Sequence, residues 1–141
     1  IGYNSRMNTI NAAIGRVQLK KLEEWNAERR RIANSYYRRA FDWEIDLPIK
    51  DNGHVYHLFV VLLNKRDELR NYLREHKIFC GVHYPYSIDQ LEPYKKYAVG
   101  KVYPFAEKVS KKCLSLPMYP TLSDKDFDYV CNTIDSFFEV K

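Results

Sequence analysis

The feature that most constrains the fold is a long stretch near the start of the chain, from about Thr9 to about Ala40, which contains no proline. Apolar residues recur in it at three- and four-residue steps, the periodicity of a helix with one apolar face. They are Ile10, Ile14, Val17, Leu22, Trp25, Ile32 and Tyr36. We therefore expect one long amphipathic helix, in which Gly15 marks either a close packing contact or a bend.

Three apolar segments beyond this stretch predict strands. Val55 to Leu63 is apolar at nearly every position, which is typical of a strand covered on both faces. The shorter segments from Ile78 to Tyr84 and from Cys113 to Leu116 are each followed by a proline, which suits a strand end.

Helical segments separate these strands and follow them. One ends near Lys77, a short one spans about Pro93 to Tyr97, and another runs from Pro104 to Lys112. The final helix follows Ser123, which stands at capping-box spacing from Asp126.

This alternation predicts an α/β fold: a small two-layer domain with a mixed or antiparallel sheet of about three strands, helices over it and a long N-terminal helix. Residues 1–41 would form an entry turn and the long helix, and residues 42–141 the sheet-and-helix core.

The bulk composition is that of one packed domain. The chain has 141 residues, 45% of them hydrophobic, and no apolar stretch approaches the roughly 20 residues that a membrane helix needs. Since it starts at Ile1 and shows no secretory signal, we expect a piece of a longer cytoplasmic protein with no membrane partner. The three cysteines, Cys80, Cys113 and Cys131, are widely spaced among apolar neighbours and are expected to be reduced thiols.

The residues give little support to nucleic-acid binding, metal binding or catalysis by a cysteine nucleophile. The formal charge of +5 is modest, and the arginines of 29–31 share their predicted helix with Glu23, Glu24 and Glu28, so ion pairs explain them better than a nucleic-acid partner. His54 and His57 would point to opposite faces of a strand, so we expect no metal site. No cysteine and histidine form a local nucleophile motif.

Two short motifs carry candidate binding groups. Asn4 and Arg6 lie just ahead of the predicted helix, where an amide and a planar guanidinium suit an anion, although a simple helix-start turn would look the same. His83 and Tyr84 lie at a predicted strand end, from which side chains can face a cleft or merely pack in a turn.

These motifs also carry a family resemblance. The segments 2–7, 12–14, 22–26, 29–33, 54–61, 81–85 and 114–120 resemble, in the same order, the C-terminal third of the DegT-like nucleotide-sugar aminotransferases. The resemblance covers nearly the whole chain. It implies the small C-terminal domain of a fold-type I enzyme that uses pyridoxal 5'-phosphate.

The resemblance also implies roles for individual residues. In such enzymes the Asn and Arg matching Asn4 and Arg6 lie near the cofactor phosphate held by the partner subunit of a homodimer, and the motif at His83 and Tyr84 borders the site of a nucleotide-linked ketosugar. The resemblance implies that the amino group comes from an amino acid, and we expect glutamate. Relatives resembling the 3-ketosugar branch usually have a histidine where Asp89 stands and a glutamine where Leu91 stands, a departure that bears on substrate identity.

The lysine that holds the cofactor in this family precedes the segment matching residues 2–6, so no catalytic residue is expected in this chain and the isolated chain should be inactive. Two alternatives stay open. One is a non-catalytic interaction or regulatory module of the same fold; the other is a pyridoxal-phosphate-dependent sugar dehydratase, in which a histidine replaces the lysine.

Overall fold

A computed structural model describes residues 6–139 of the chain; residues 1–5 and 140–141 lie outside this range. In chain order the elements are α1 (Thr9–Leu19), α2 (Leu22–Arg39), β1 (Phe59–Leu62), α3 (Arg66–Glu75), α4 (Pro104–Lys112), β2 (Cys113–Leu116) and α5 (Asp124–Glu139). Short 3-10 helices span Ala40–Asp42, Ile88–Gln90 and Glu92–Tyr97. The predicted α/β class is confirmed, and no helix of the described residues is long and apolar enough to cross a membrane.

The sheet is smaller than the three strands expected from the sequence. β1 pairs with β2 in antiparallel register, from Phe59 opposite Leu116 to Leu62 opposite Cys113. A single bridge joins Asp46 to Leu62 at the outer side of β1, and another joins Gly81 to Ser115 at the outer side of β2. The predicted third strand is thus reduced to one bridging pair, although it still lies antiparallel beside β2.

Local backbone geometry explains why β1 begins later than the sequence predicts. Tyr56 has a φ of 48°, which an extended strand cannot accommodate. Its N–H donates to Nδ1 of His54 at 2.8 Å, and the two rings lie 4.1 Å apart. The residues ahead of Phe59 therefore form a turn, and only the second half of the apolar run pairs in the sheet.

One hydrophobic core joins the sheet to the helices. β2 is buried at all four positions, and α2, α3 and α5 add buried side chains to the same core. The ring of Tyr36 on α2 stacks on Phe59, with its centroid 4.8 Å away, and contacts the edge of Phe127. Its hydroxyl donates to the carbonyl of Pro117 at 2.9 Å, which ties α2 to the segment that follows β2.

The predicted long helix is interrupted, but not at Gly15. Lys20 and Lys21 keep right-handed helical dihedrals, yet the Lys21 N–H donates to the Gln18 carbonyl in a tighter turn, and α2 begins at Leu22. Among residues 6–139, a Cβ added at Gly15 would meet nothing within 4 Å, so no close contact in this range explains the glycine. α1 buries none of its side chains: Ile10 is 73% exposed and Ile14 is 51% exposed.

The later elements follow the sequence closely. α4 and β2 have the predicted bounds, and the 3-10 helix Glu92–Tyr97 lies where a short helix is expected. At the start of α5 the Ser123 hydroxyl accepts from the Asp126 N–H at 3.1 Å and donates to the Asp126 carboxylate at 2.7 Å. The Asp126 carboxylate therefore accepts a hydrogen bond from the Ser123 hydroxyl. In a capping box, a Glu or Gln side chain at this position would instead accept from the backbone N–H of the capping residue.

Candidate functional site

His83 and Tyr84 lie where the segment beside β2 leaves the sheet. The last backbone pairing of this segment is at Gly81, after which the chain turns away into the loop that carries both side chains. The two rings lie edge to face with centroids 5.8 Å apart, and the peptide bond between the residues is cis. Tyr84 is 75% exposed, so its side chain faces outward from this turn.

The imidazole of His83 folds back over the sheet edge. Its Nδ1 lies 2.8 Å from Oγ of Ser115, a residue of β2 that is 4% exposed. Its Cε1 lies so close to Gly81 that a Cβ at that position would come within 2.3 Å of it. The ring thus occupies the space that a side chain at position 81 would fill.

An open groove of about 480 Å³ lies next to this turn, between the loop after His83 and α4. Its walls are mainly apolar and include five tyrosines: Tyr84, Tyr86, Tyr94, Tyr97 and Tyr103. Asp89 also lines it and is the one carboxylate among its walls. A cleft of this size with aromatic walls suits a planar or sugar-like small molecule.

Sequence reasoning named only one of these groove tyrosines as a site residue. The other four groove tyrosines lie in a long tyrosine-rich connection: Tyr86, Tyr94, Tyr97 and Tyr103. The density of tyrosines in this connection is the sequence signal that could have identified them. The loop is held in place by local contacts: the Ser87 N–H donates to Oε1 of Gln90 at 3.2 Å. Sγ of Cys113 lies 3.6 Å from the Tyr84 carbonyl, which joins the loop to β2.

The predicted anion-binding turn is only partly described. Asn4 lies outside the described residues, whereas Arg6 is exposed and stands just before the start of α1. Asn8 caps that helix, since its side chain accepts from the Asn11 N–H at 2.8 Å. The first turn of α1 carries no acidic side chain, so the guanidinium and the positive helix end fit a phosphate group.

The structure does not join Arg6, the described residue of the first motif, to the second motif. In the range 6–139, no hydrogen bond, ion pair or ring contact joins Arg6 to His83 or Tyr84. A site that uses both motifs would therefore need another chain or further residues of the parent protein.

Lysines and cysteines of the described range lack the setting of a reactive group. Lys112 is half-buried and every other described lysine is exposed, whereas a lysine that forms an imine needs a desolvated or cation-flanked position. Burial raises the pKa of the Cys80 thiol, and likewise that of Cys131, to about 12, which disfavours the nucleophilic thiolate. All three cysteines are free thiols.

Two arginines of the basic clusters have acidic partners. Arg31 pairs with Glu28 and with Asp124, each at 2.8 Å, and these pairs raise the pKa of its guanidinium. Arg39 pairs with Asp135 at 2.5 Å and bonds to Asn132. No group of three or more potential ligands among residues 6–139 is placed to hold a metal ion.

Comparison with known proteins identifies relatives over almost the entire chain. A family model described as the DegT/DnrJ/EryC1/StrS aminotransferase family matches residues 1–135. A pleiotropic regulatory protein of Geobacillus stearothermophilus is 37% identical over 98% of this chain and 39% of its own length. A dTDP-3-amino-3,6-dideoxy-alpha-D-galactopyranose transaminase of Aneurinibacillus thermoaerophilus is 31% identical over 96% of this chain and 38% of its own length.

The fold has matching solved structures. The crystal structure of S. venezuelae DesV in complex with a ketimine intermediate superposes with a TM-score of 0.90 at 29% identity. The match covers 99% of this chain and 39% of DesV. The chain therefore spans about two fifths of the length of the relatives that it matches.

Proposed function

The chain belongs to the DegT/DnrJ/EryC1/StrS aminotransferase family, and we propose that it is the C-terminal small domain of a sugar aminotransferase. The parent enzyme moves an amino group from an amino acid, glutamate in our proposal, to a ketosugar carried on a nucleotide. The observation that carries this proposal is the family match over residues 1–135, together with the similarity to a dTDP-sugar transaminase. We place the parent enzyme in the cytoplasm.

We propose pyridoxal 5'-phosphate as the cofactor of the parent enzyme. When bound, this cofactor carries the amino group between the two substrates by acting as an electron sink. The described residues fit its phosphate at one point, because Arg6 lies at a helix start with no acidic residue in the first turn. In the homodimer that we propose, Asn4 and Arg6 of one subunit contact the phosphate held by the other.

We assign the nucleotide-linked ketosugar to the region of His83, Tyr84 and the tyrosine-lined groove. Because Nδ1 of His83 is engaged by Ser115, Nε2 is the ring nitrogen that remains for a substrate, and the residue is exposed. Tyr84 adds an exposed ring and hydroxyl at the mouth of the groove. Such groups orient a substrate through hydrogen bonds to its oxygens and through contacts with its apolar faces.

Three substitutions in the full-length protein test these roles. Asn4→Ala removes one hydrogen bond to the phosphate, a loss of about 1.5–3 kcal/mol, so the cofactor dissociation constant should rise roughly ten- to a hundredfold with the fold intact. His83→Ala and Tyr84→Phe should raise the KM for the sugar nucleotide and leave cofactor binding unchanged. If Asn4→Ala kept the cofactor equally tight and only lowered the melting temperature, Asn4 would merely stabilise the start of the helix.

A second candidate function is a regulatory module of the same fold that does not transaminate. The observation in its favour is the 37% identity to a protein described as a pleiotropic regulatory protein. Incubation of the full-length protein with cofactor, glutamate and a nucleotide ketosugar separates the candidates. An aminotransferase releases 2-oxoglutarate together with the amino sugar. A regulatory module leaves both substrates unchanged, and a sugar dehydratase relative consumes sugar without releasing 2-oxoglutarate.

A further inference from the structure

Gly81 and Ser115 together form a seat for the His83 imidazole, which we call the His83 seat. The two residues face each other across the bridge that joins the segment after α3 to β2. The Ser115 N–H donates to the Gly81 carbonyl at 2.8 Å, and the Gly81 N–H donates to the Ser115 carbonyl at 3.3 Å. The seat is therefore built on paired backbone, a firmer support than the loop that carries His83 itself.

Glycine is needed at position 81 because of the ring above it. A Cβ there would lie 2.3 Å from Cε1, 3.1 Å from Nδ1 and 3.2 Å from Nε2 of His83. The φ of Gly81 lies outside the left-handed region, so its backbone would accept alanine without strain. The atoms in the way belong to one side chain that can rotate, so an alanine would displace the ring and spare the fold.

Ser115 decides which ring nitrogen carries the proton. Its side chain is almost fully buried, and in the described part of the chain the one hydrogen-bond partner recorded for its hydroxyl is Nδ1 of His83 at 2.8 Å. If Nδ1–H donated to Oγ, the buried serine O–H would have no acceptor, which costs free energy. Donation from the hydroxyl to Nδ1 satisfies the buried serine, and this arrangement corresponds to the tautomer with its proton on Nε2.

We propose that Gly81 and Ser115 are positioning residues for substrate binding: they hold the His83 ring with Nδ1 on Ser115, which leaves Nε2–H as a hydrogen-bond donor for the substrate. The group that it recognises is an acceptor oxygen of the bound substrate, such as a sugar or phosphate oxygen. This inference rests on the proposed role of His83 in binding the sugar nucleotide. It adds two residues that would not themselves touch the substrate.

Steady-state kinetics of the full-length enzyme test the seat. Gly81→Ala and Ser115→Ala should each raise the KM for the sugar nucleotide roughly three- to tenfold, the effect of one weakened hydrogen bond, with little change in kcat. Thr133→Val is the matched control, because it removes another buried hydroxyl, one that donates to the Tyr129 carbonyl in α5. It should leave KM unchanged.

A double-mutant cycle separates positioning from general damage. In the His83→Ala background no ring is left to clash, so adding Gly81→Ala should have no further effect on KM. If Gly81→Ala raised KM equally in both backgrounds, it would act independently of the ring and the inference would be wrong.

Nitrogen NMR of the ¹⁵N-histidine-labelled full-length protein reads the ring directly without substrate. The His83 signal, assigned by its loss in His83→Ala, should show the Nε2–H tautomer, and Ser115→Ala should mix the two tautomers. A pure Nδ1–H form would overturn the positioning inference. An unchanged KM in both Gly81→Ala and Ser115→Ala, together with a raised KM in His83→Ala, would also overturn the positioning inference. An unchanged KM in His83→Ala would instead overturn the proposed substrate role of His83 itself.

Discussion

The hydrogen bond from Tyr36 to the Pro117 carbonyl should contribute measurably to stability. Tyr36 is fully buried, and its hydroxyl donates at 2.9 Å across 81 positions of sequence. Tyr36→Phe keeps the ring and its stacking on Phe59 but leaves a part-buried carbonyl without that donor. The cost of an unsatisfied buried group is about 1–3 kcal/mol, and because the carbonyl is only part-buried we expect about 1–2 kcal/mol.

Tyr37→Phe is the matched control for this experiment. Tyr37 is the next residue of α2, and its hydroxyl also donates to a proline carbonyl, that of Pro48, at 2.9 Å. Tyr37 is only half-buried, so water can replace the lost donor and the cost should be below about 1 kcal/mol.

Urea unfolding of the chain measures both variants. With a slope of about 1–3 kcal/mol per M, the midpoint of Tyr36→Phe should fall by roughly 0.3–2 M with the slope unchanged. Burial also holds the pKa of Tyr36 well above its usual value. Above about pH 10 the unfolded state loses this proton while the folded state keeps it, so stability falls as pH rises, and Tyr36→Phe should reduce that fall. Equal losses in Tyr36→Phe and Tyr37→Phe at neutral pH would refute the reasoning.

Three further outcomes are expected. Since burial raises the pKa values of Cys80 and Cys131 to about 12, the unfolded state binds fewer protons above about pH 9. The free energy of unfolding should therefore fall as pH rises from 9 to 12, and less steeply in Cys80→Ala. Ile10→Lys combined with Ile14→Lys should weaken self-association of the chain in sedimentation experiments, whereas Phe41→Lys, which replaces an exposed residue outside α1, should not. The purified 141-residue chain should retain no pyridoxal phosphate after dialysis. An absorbance of bound cofactor would show that one of the chain's own lysines holds the cofactor as an imine.

Elements with strong local signals were predictable from sequence. Proline at the first turn of α4 and the short apolar run that follows determine the bounds of both α4 and β2. The apolar periodicity after Ser123 indicates α5 in the same way. In these segments local propensity and tertiary packing favour the same structure.

The sequence pattern does not predict where β1 begins, where the third strand ends or where the first helix breaks. The apolar run from Val55 does not show that Tyr56 takes a positive φ, and the run from Ile78 does not show that His83 will fold over Gly81. The break at Lys20 and Lys21 has no breaker residue to signal it, and both residues remain helical in their dihedrals.

The candidate site was predictable in part for a similar reason. His83 and Tyr84 occupy the turn where a strand end was expected. Sequence spacing gave no sign that Ser115, which lies 32 positions away, meets the imidazole, because that contact depends on the antiparallel pairing. Residue types suggest which side chains bind, whereas the pairing of distant segments decides which ones hold them in place.

The lack of buried side chains in α1 has a consequence for its backbone amides. An isolated helix of about 12–15 residues is only marginally stable in water, and α1 has 11 residues with no buried face to support it. Its amide hydrogens should therefore exchange with solvent well before those of α5, whose Val130, Cys131 and Ile134 are buried in the core. Any surface that covers α1 would slow that exchange. Hydrogen exchange along residues 9–19 would therefore show whether another surface covers the helix.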